Sequence, residues 1–495
     1  MEATMPHCVA AAEILRLQLG ADIVMTIFDR KAVFDKALEN YEVYDHQSLF
    51  QFSKRIVPIE SAGNGGPAAA KDPDVSLDSG PQASRRIKPF GAGNNWALAV
   101  YMMRRSPYWA WYLFRRTRSG QSMWRLLYPS FRGSRIRRFL RVIKPDIIIL
   151  TEDNVERLST TIINEARRQG IPSIIIPFTI PNPLEPAKSY RDQRLHQVRR
   201  PLSRLMAALY PKWKFRLDGK DLLRLPALTV LILEMLGQSS PAPWILNRGG
   251  AARIALDSEA QRDVYLKWGF PPSQLSVVGD INSEILNQGL INRPRLLGDL
   301  LGKNGFQPGR PLILCGFPPD QFGSKNEDFE FQNYDELVEA WIESFRALGD
   351  RANVLIRPHP RADRRLFEAQ NGSNVRITWQ PTAELIPLCD LYVASISATI
   401  RWAISCGVPV INYDTYRYRY GDYDKAPGVL QTESLSDFRT LLARFVSDPS
   451  FATDLAERQR SGMQYWGTVN SKLPQRFAAL VSEVIDANDQ ARSIS

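Results

Sequence analysis

Short runs of consecutive apolar residues, each closed by a polar turn, recur along the chain. They alternate with segments whose apolar residues return every three or four positions. The runs include Ile147-Ile148-Ile149-Leu150, Ile174-Ile175-Ile176, Val354-Leu355-Ile356, Leu391-Tyr392-Val393-Ala394 and Val408-Pro409-Val410-Ile411. Continuous runs of this kind fit strands buried on both faces, and the segments between them supply the crossover helices that parallel strands require. Further strands are predicted over Ala21–Phe28, Tyr41–Tyr44, Ala252–Leu256, Leu275–Val278, Arg310–Phe317 and Val375–Trp379. Helical periods cover His7–Leu19, Val155–Gln169, Ser258–Trp268, Tyr334–Leu348 and Glu433–Val446. The pattern predicts an α/β protein with two parallel sheets.

Three stretches interrupt the alternation. Residues 61–93 are rich in Gly, Pro, Ala, Ser and Asp without periodicity and read as a flexible loop. Residues 95–141 and 184–237 read as basic helical insertions; in the second, Arg191, Arg194, Arg199, Arg200 and Arg204 recur at helical steps. The division that follows is a first domain over 1–283, a connection over 284–309 and a second domain over 310–495.

Composition adds two constraints. The net charge of +11 is local, because Ser79 to Pro145 holds fifteen Lys or Arg and no Asp or Glu. Within it, aromatic residues interleave with arginines from Asn95 to Arg141, which suits an anionic membrane surface. The competing reading packs those aromatics on the domain and leaves the arginines in water; nucleic acid is the weaker partner, since no nucleic-acid fold signature accompanies the stretch. The four cysteines lack CxxC spacing and read as buried thiols of a reducing compartment. The longest apolar run, Ala227 to Leu236, is too short to span a bilayer. A cytoplasmic protein, peripheral at the inner face of the plasma membrane, is the expectation.

Candidate chemistry gathers where predicted strands end. Arg357 and Arg361 carry planar donor forks suited to phosphate. His359, held between Pro358 and Pro360, can donate a hydrogen bond to a phosphoryl oxygen or a proton to a leaving phosphate. Ser397 and Thr399 sit where a strand gives way to a helix, where hydroxyls and free N–H groups favour an anion; each alone also fits a simple helix cap. Asp422-Tyr423-Asp424 has a metal-ligand spacing, but Arg417, Arg419 and Lys425 beside it would repel a cation.

Arg357-Pro358-His359-Pro360 followed by Ser395-Ile396-Ser397 resembles the His-Pro and serine-rich motifs of bacterial GT-B glycosyltransferases. The similarity covers residues 308 to about 465 and is greatest to the CMP-sugar (sialyl and Kdo) and CDP-glycerol transferases of surface polysaccharide synthesis. It implies a GT-B-like fold, two Rossmann-like domains facing a cleft. It also implies that His359, Ser395 and Ser397 hold the nucleotide phosphate of an activated donor, cytidine-type by this resemblance. The acceptor would be a surface polysaccharide or a lipid-linked molecule. No cofactor and no metal are called for, the donor being itself a substrate.

Transfer to a hydroxyl needs a base, for which Glu152 and Asp153 stand at the end of a first-domain strand; Asp153 or Asn154 also fits a helix cap, and Asp29 and His7 come next. Glu384 fits either a ribose acceptor or a capping box. Two other functions remain open on the same fold, a UDP-N-acetylglucosamine epimerase and a non-catalytic membrane-associated protein.

Overall fold

The computed structural model describes residues 5–20, 24–27, 42–45, 133–322, 328–360, 362–467, 469–470 and 472–494. The loop 61–93, most of the basic-aromatic stretch (95–132), Asp29 and Arg361 lie outside them, as does the side chain of His7. Residues 133–143, at the end of the basic-aromatic stretch, are helical.

The first half contains β1 (Val24–Ile27), β2 (Glu42–Asp45), β3 (Ile148–Leu150), β4 (Ser173–Ile175), β5 (Lys214–Leu217), β6 (Lys220–Leu223), β7 (Arg253–Leu256) and β8 (Leu275–Val277). The second half contains β9 (Leu312–Phe317), β10 (Asn353–Pro358), β11 (Val375–Ile377), β12 (Leu391–Ala394), β13 (Val410–Tyr413) and β14 (Val429–Thr432). Strands β3, β4, β7 and β8 form one parallel sheet in that order, and β1 pairs with β2 separately, also in parallel. The second sheet is parallel throughout, in the order β11-β10-β9-β12-β13-β14. Numbered from its own first strand this is 3-2-1-4-5-6, the doubly wound order, in which ligands lie at the carboxyl edge where the order reverses. The two parallel α/β sheets, of which the second alone shows that order among the described residues, fit the expected GT-B-like, two-domain fold.

Alternate residues of the second sheet feed two cores. Ile313, Cys315 and Phe317 of β9 join Trp341, Phe345 and Phe438 on one face, while Leu312 and Leu314 join Ile386, Ile400 and Ile404 on the other. Being buried on both sides, these strands read as unbroken apolar runs. Side-chain caps fix the covering helices: Asn333 accepts from the Glu336 N–H ahead of Tyr334–Arg346, and Ser434 accepts from the Asp437 N–H ahead of Leu435–Ser447. Cys315, Cys389 and Cys406 are buried free thiols.

The final helix, Leu473–Ile494, returns to the first half. Its Phe477, Leu480, Val481 and Val484 pack with Ile174 of β4, Ala255 of β7 and Val278. Glu483 pairs with Arg253 at 3.1 Å, and Arg492 donates to the Gly170 carbonyl at 2.7 Å.

Two local expectations are corrected. The helix after β3 runs Ser159–Arg168 rather than from Val155, because its polar neighbours bond across the turn instead of capping it. The Asn154 N–H donates to Ser159 Oγ, and Thr160 Oγ1 donates to Asp153 Oδ1. The second insertion is not wholly helical: Lys214–Leu217 and Lys220–Leu223 form an antiparallel hairpin. Its turn, Asp218 at φ 49° and Gly219 at φ 73°, is the Asp-Gly pairing that two-residue hairpins favour.

Candidate functional site

The sheet order brings the anion-seeking residues of two crossovers to one edge. Arg357 of β10 and Ala394 of β12 both stand beside Gly316 of β9, one on each side. Strand spacing puts their Cα atoms roughly 10 Å apart. The chain leaves β10 into His359-Pro360 and leaves β12 into Ser395-Ile396-Ser397, so both loops start from strands that flank β9 at its carboxyl end. His359 is half-buried. Arg357 is half-buried too, and burial pulls its guanidinium below the usual value while Tyr392 acts the other way. Its Nη1 donates to the Pro358 carbonyl at 2.8 Å and its Nε to the Gln380 carbonyl at 3.4 Å, leaving the rest of the fork for a ligand.

The serine loop is held in an uncommon shape. Ile396 has φ 46°, a left-handed conformation that a β-branched residue rarely adopts. Its N–H donates to Oδ1 of Asn412, whose Nδ2 in turn donates to Gln431 at 2.7 Å. Ser395 Oγ accepts from the Thr415 N–H at 3.3 Å. Ser397 Oγ lies 2.7 Å from Thr399 Oγ1, which also bonds the Tyr392 hydroxyl at 2.5 Å. Tyr423 donates to the Ser397 carbonyl at 2.8 Å. Strain of this kind persists only where the surroundings over-determine it, and it concentrates at ligand loops.

Thr399 does not cap the helix Ile400–Ser405 with its side chain. That helix is under two turns long, so the hydroxyl-lined loop rather than a helix dipole is the polar feature at this edge.

Glu384 is exposed and accepts from Gln380 Nε2 at 2.9 Å. The residue ahead of its helix is Pro381, which has no hydroxyl and no N–H, so the capping-box alternative falls away.

At the end of β3 the two candidate bases differ. Glu152 pairs with Arg157 at 2.7 Å, and burial outweighs that ion pair to raise its carboxyl. Asp153 is 4% exposed, bonded to Thr160 at 2.5 Å and pressed against the backbone of Gly249. Its own N–H donates to Asn247 Oδ1. Burial pushes its carboxyl up to about 6.

A cavity of about 590 Å³ opens at the carboxyl ends of β12, β13 and β14, beside the serine loop. Ile396, Asn412, Asp414, Asp422 and Glu433 line it; His359 and Arg357 do not. Asp414 accepts from the backbone N–H groups of Tyr418 and Arg419 and so pins the tyrosine-rich loop. Enclosure pushes the Asp422 carboxyl up to about 6, with Glu185 adding to the effect. Sequence reasoning missed Tyr392, Asn412 and Asp414. Asn412, a polar residue inside an apolar strand run, was the one legible signal.

The two halves meet through the helix that follows the serine loop. Arg401 forms a buried ion pair with Asp257, just past β7, and donates to the Phe178 carbonyl at 3.1 Å. Trp402 Nε1 donates to Asp280 at 2.8 Å.

No family model and no curated protein matches this chain. Solved structures similar to it include the UDP-GlcNAc 2-epimerase from Neisseria meningitidis bound to UDP-GlcNAc, 12% identical, with 72% of this chain and 80% of that chain covered and a TM-score of 0.43. Another is CalG4, the calicheamicin glycosyltransferase, 13% identical over 75% of this chain and 82% of that one, TM-score 0.41. A third is the wall teichoic acid polymerase TagF, 13% identical over 48% and 59%, TM-score 0.34. At these identities substrates do not carry over from one chain to another.

Proposed function

We propose that this protein is a nucleotide-dependent glycosyltransferase or glycerophosphotransferase. The observation that supports the reading is that Arg357, two residues ahead of His359, and Ala394, just ahead of the strained serine loop, stand on either side of Gly316 at the reversal point of the second sheet. The donor is a cytidine nucleotide, and the acceptor a surface polysaccharide or lipid-linked hydroxyl compound. His359, Arg357, Arg361, Ser395, Ser397 and Thr399 take the donor phosphates, and Glu384 takes the ribose. As the leaving phosphate gains charge, donors fixed in advance around it lower the barrier.

Glu152 acts as the base towards the acceptor, and Asp153 fixes the turn that presents it. Metal is not required, and the Asn95 to Arg141 stretch holds the enzyme at an anionic membrane. Thermal shifts with CMP, CDP, UDP and GDP test the donor assignment: a ligand specific to the folded state raises apparent stability. A shift largest with cytidine nucleotides is the expected result.

One observation favours a second reading. The cavity beside the serine loop gathers Asp414, Asp422 and Glu433, carboxylates that a UDP-N-acetylglucosamine epimerase would need. Incubating the protein with UDP-N-acetylglucosamine alone decides between them; an isomer formed without acceptor supports the epimerase.

A further inference from the structure

The segment between β4 and β7 turns an unusual surface outward. Leu195, Leu202, Leu205, Leu209, Leu228 and Met235 are all exposed, Met235 at 76%. In the helix Pro201–Leu209, Met206 and Ala207 face inward, while Leu202, Leu205 and Leu209 share the outer side at helical spacing. In the helix Ala227–Met235, Val230 and Leu233 face inward, and Glu234 is drawn to Lys212 at 2.9 Å and to Trp213 Nε1 at 2.5 Å. That leaves Leu228, Ile232 and Met235 on one outward line. The two helices pack together through Met206, Ala207, Val230 and Leu233, which leaves the leucines and Met235 on their outer sides.

Arginines rim this surface. Residues 191–216 hold eight Lys or Arg and a single Asp. Arg191 spends its charge on Asp192. Arg194, Arg199, Arg200, Arg204 and Arg216 are exposed, and among the described residues no carboxylate pairs with them.

We propose that this leucine-and-arginine face docks on an anionic lipid bilayer. Leucine and methionine side chains enter the boundary between head groups and acyl chains, and the guanidinium groups meet lipid phosphates. Among the described residues no helix is long and apolar enough to cross a membrane, so the face lies on the bilayer. A second copy is the poorer occupant, because a two-fold contact sets the same unpaired arginines against each other.

The insertion leaves β4 at its carboxyl end, and its Lys188 sits 5.2 Å from the centre of the Tyr420 ring of the second half. The docking stands apart from the transfer chemistry; only its consequence, an acceptor carried in that membrane, rests on the transferase reading.

Vesicle flotation of the full chain tests this, with phosphatidylcholine alone and with phosphatidylglycerol added. The chain is expected to float with the anionic vesicles and to be released by salt. Arg199→Gln, Arg200→Gln and Arg204→Gln together should weaken partition on the order of a hundredfold. Leu205→Ser with Met235→Ser should weaken it roughly tenfold or more, even at low salt. Both sets change exposed side chains, so circular dichroism and the nucleotide-induced thermal shift should be unchanged. Flotation unaltered in both variants would overturn the proposal, as would absence of wild-type flotation or a dimer in sedimentation that these variants dissociate. If flotation fails while the nucleotide shift persists, docking alone is lost; if the shift fails while flotation holds, the transferase reading falls instead.

Discussion

Replacing Gly316 with Ala would set a methyl group 2.2 Å from the Tyr392 hydroxyl. Tyr392 reaches Thr399 only because β9 offers no side chain there. The variant should lose that bond and be destabilised by roughly 1–3 kcal/mol, as overpacked sites are, with a larger relative loss of nucleotide affinity as the serine loop shifts. Parallel urea denaturation and nucleotide titration check it; unchanged affinity would separate Tyr392 from the loop's function.

Asp153 makes a second residue-scale prediction. Its folded pKa of about 6 exceeds an unfolded value of about 4. The folded state binds the proton more tightly, so its contribution is present below that window and is lost as pH rises through it. Stability should fall between about pH 4 and pH 6, by roughly 2–3 kcal/mol from this group, and Asp422 works in the same direction. Asp153→Asn still offers an oxygen to Thr160 and should flatten the slope. Urea midpoints across that range measure it, and an unaltered slope in the variant would contradict the burial argument.

At the scale of elements, legibility followed burial. Strands β9, β10, β12 and β13 announce themselves because both faces are covered. The edge strand β14, Val429-Leu430-Gln431-Thr432, is partly exposed and polar in its second half, so no apolar run marks it. The hairpin β5–β6 was hidden inside a stretch read as helical, although Asp218-Gly219 carries the turn signal. An added Cβ at Gly219 meets nothing within 4 Å, so Gly219→Val isolates backbone strain; it should cost about 1–2 kcal/mol, read as a shifted urea midpoint at unchanged slope. The loop chemistry was half legible. His359 and Ser397 were visible as residue types, but Asn412 and Tyr392, which set the loop's shape, act from other strands and needed the sheet order to be found.

At the scale of the molecule, Arg401 ties the helix after the serine loop to the first half through Asp257, both nearly buried. Arg401→Ala leaves a carboxylate without its partner and should cost roughly 3–5 kcal/mol. Adding Asp257→Asn should recover part of that, a pattern that a double-mutant cycle in thermal denaturation detects and that independent effects would not produce. The same tie means that whatever orders the serine loop also bears on how the halves sit together, which is where donor and acceptor would meet. The most direct test of the site is equilibrium titration of a nucleoside diphosphate into the wild-type chain and into His359→Ala. The account predicts saturable binding to the wild type and an affinity lowered roughly tenfold or more by the substitution, as for loss of a charge-assisted hydrogen bond, in a variant that circular dichroism shows to be folded. Equal affinity in the two proteins, or no binding to either, would contradict it.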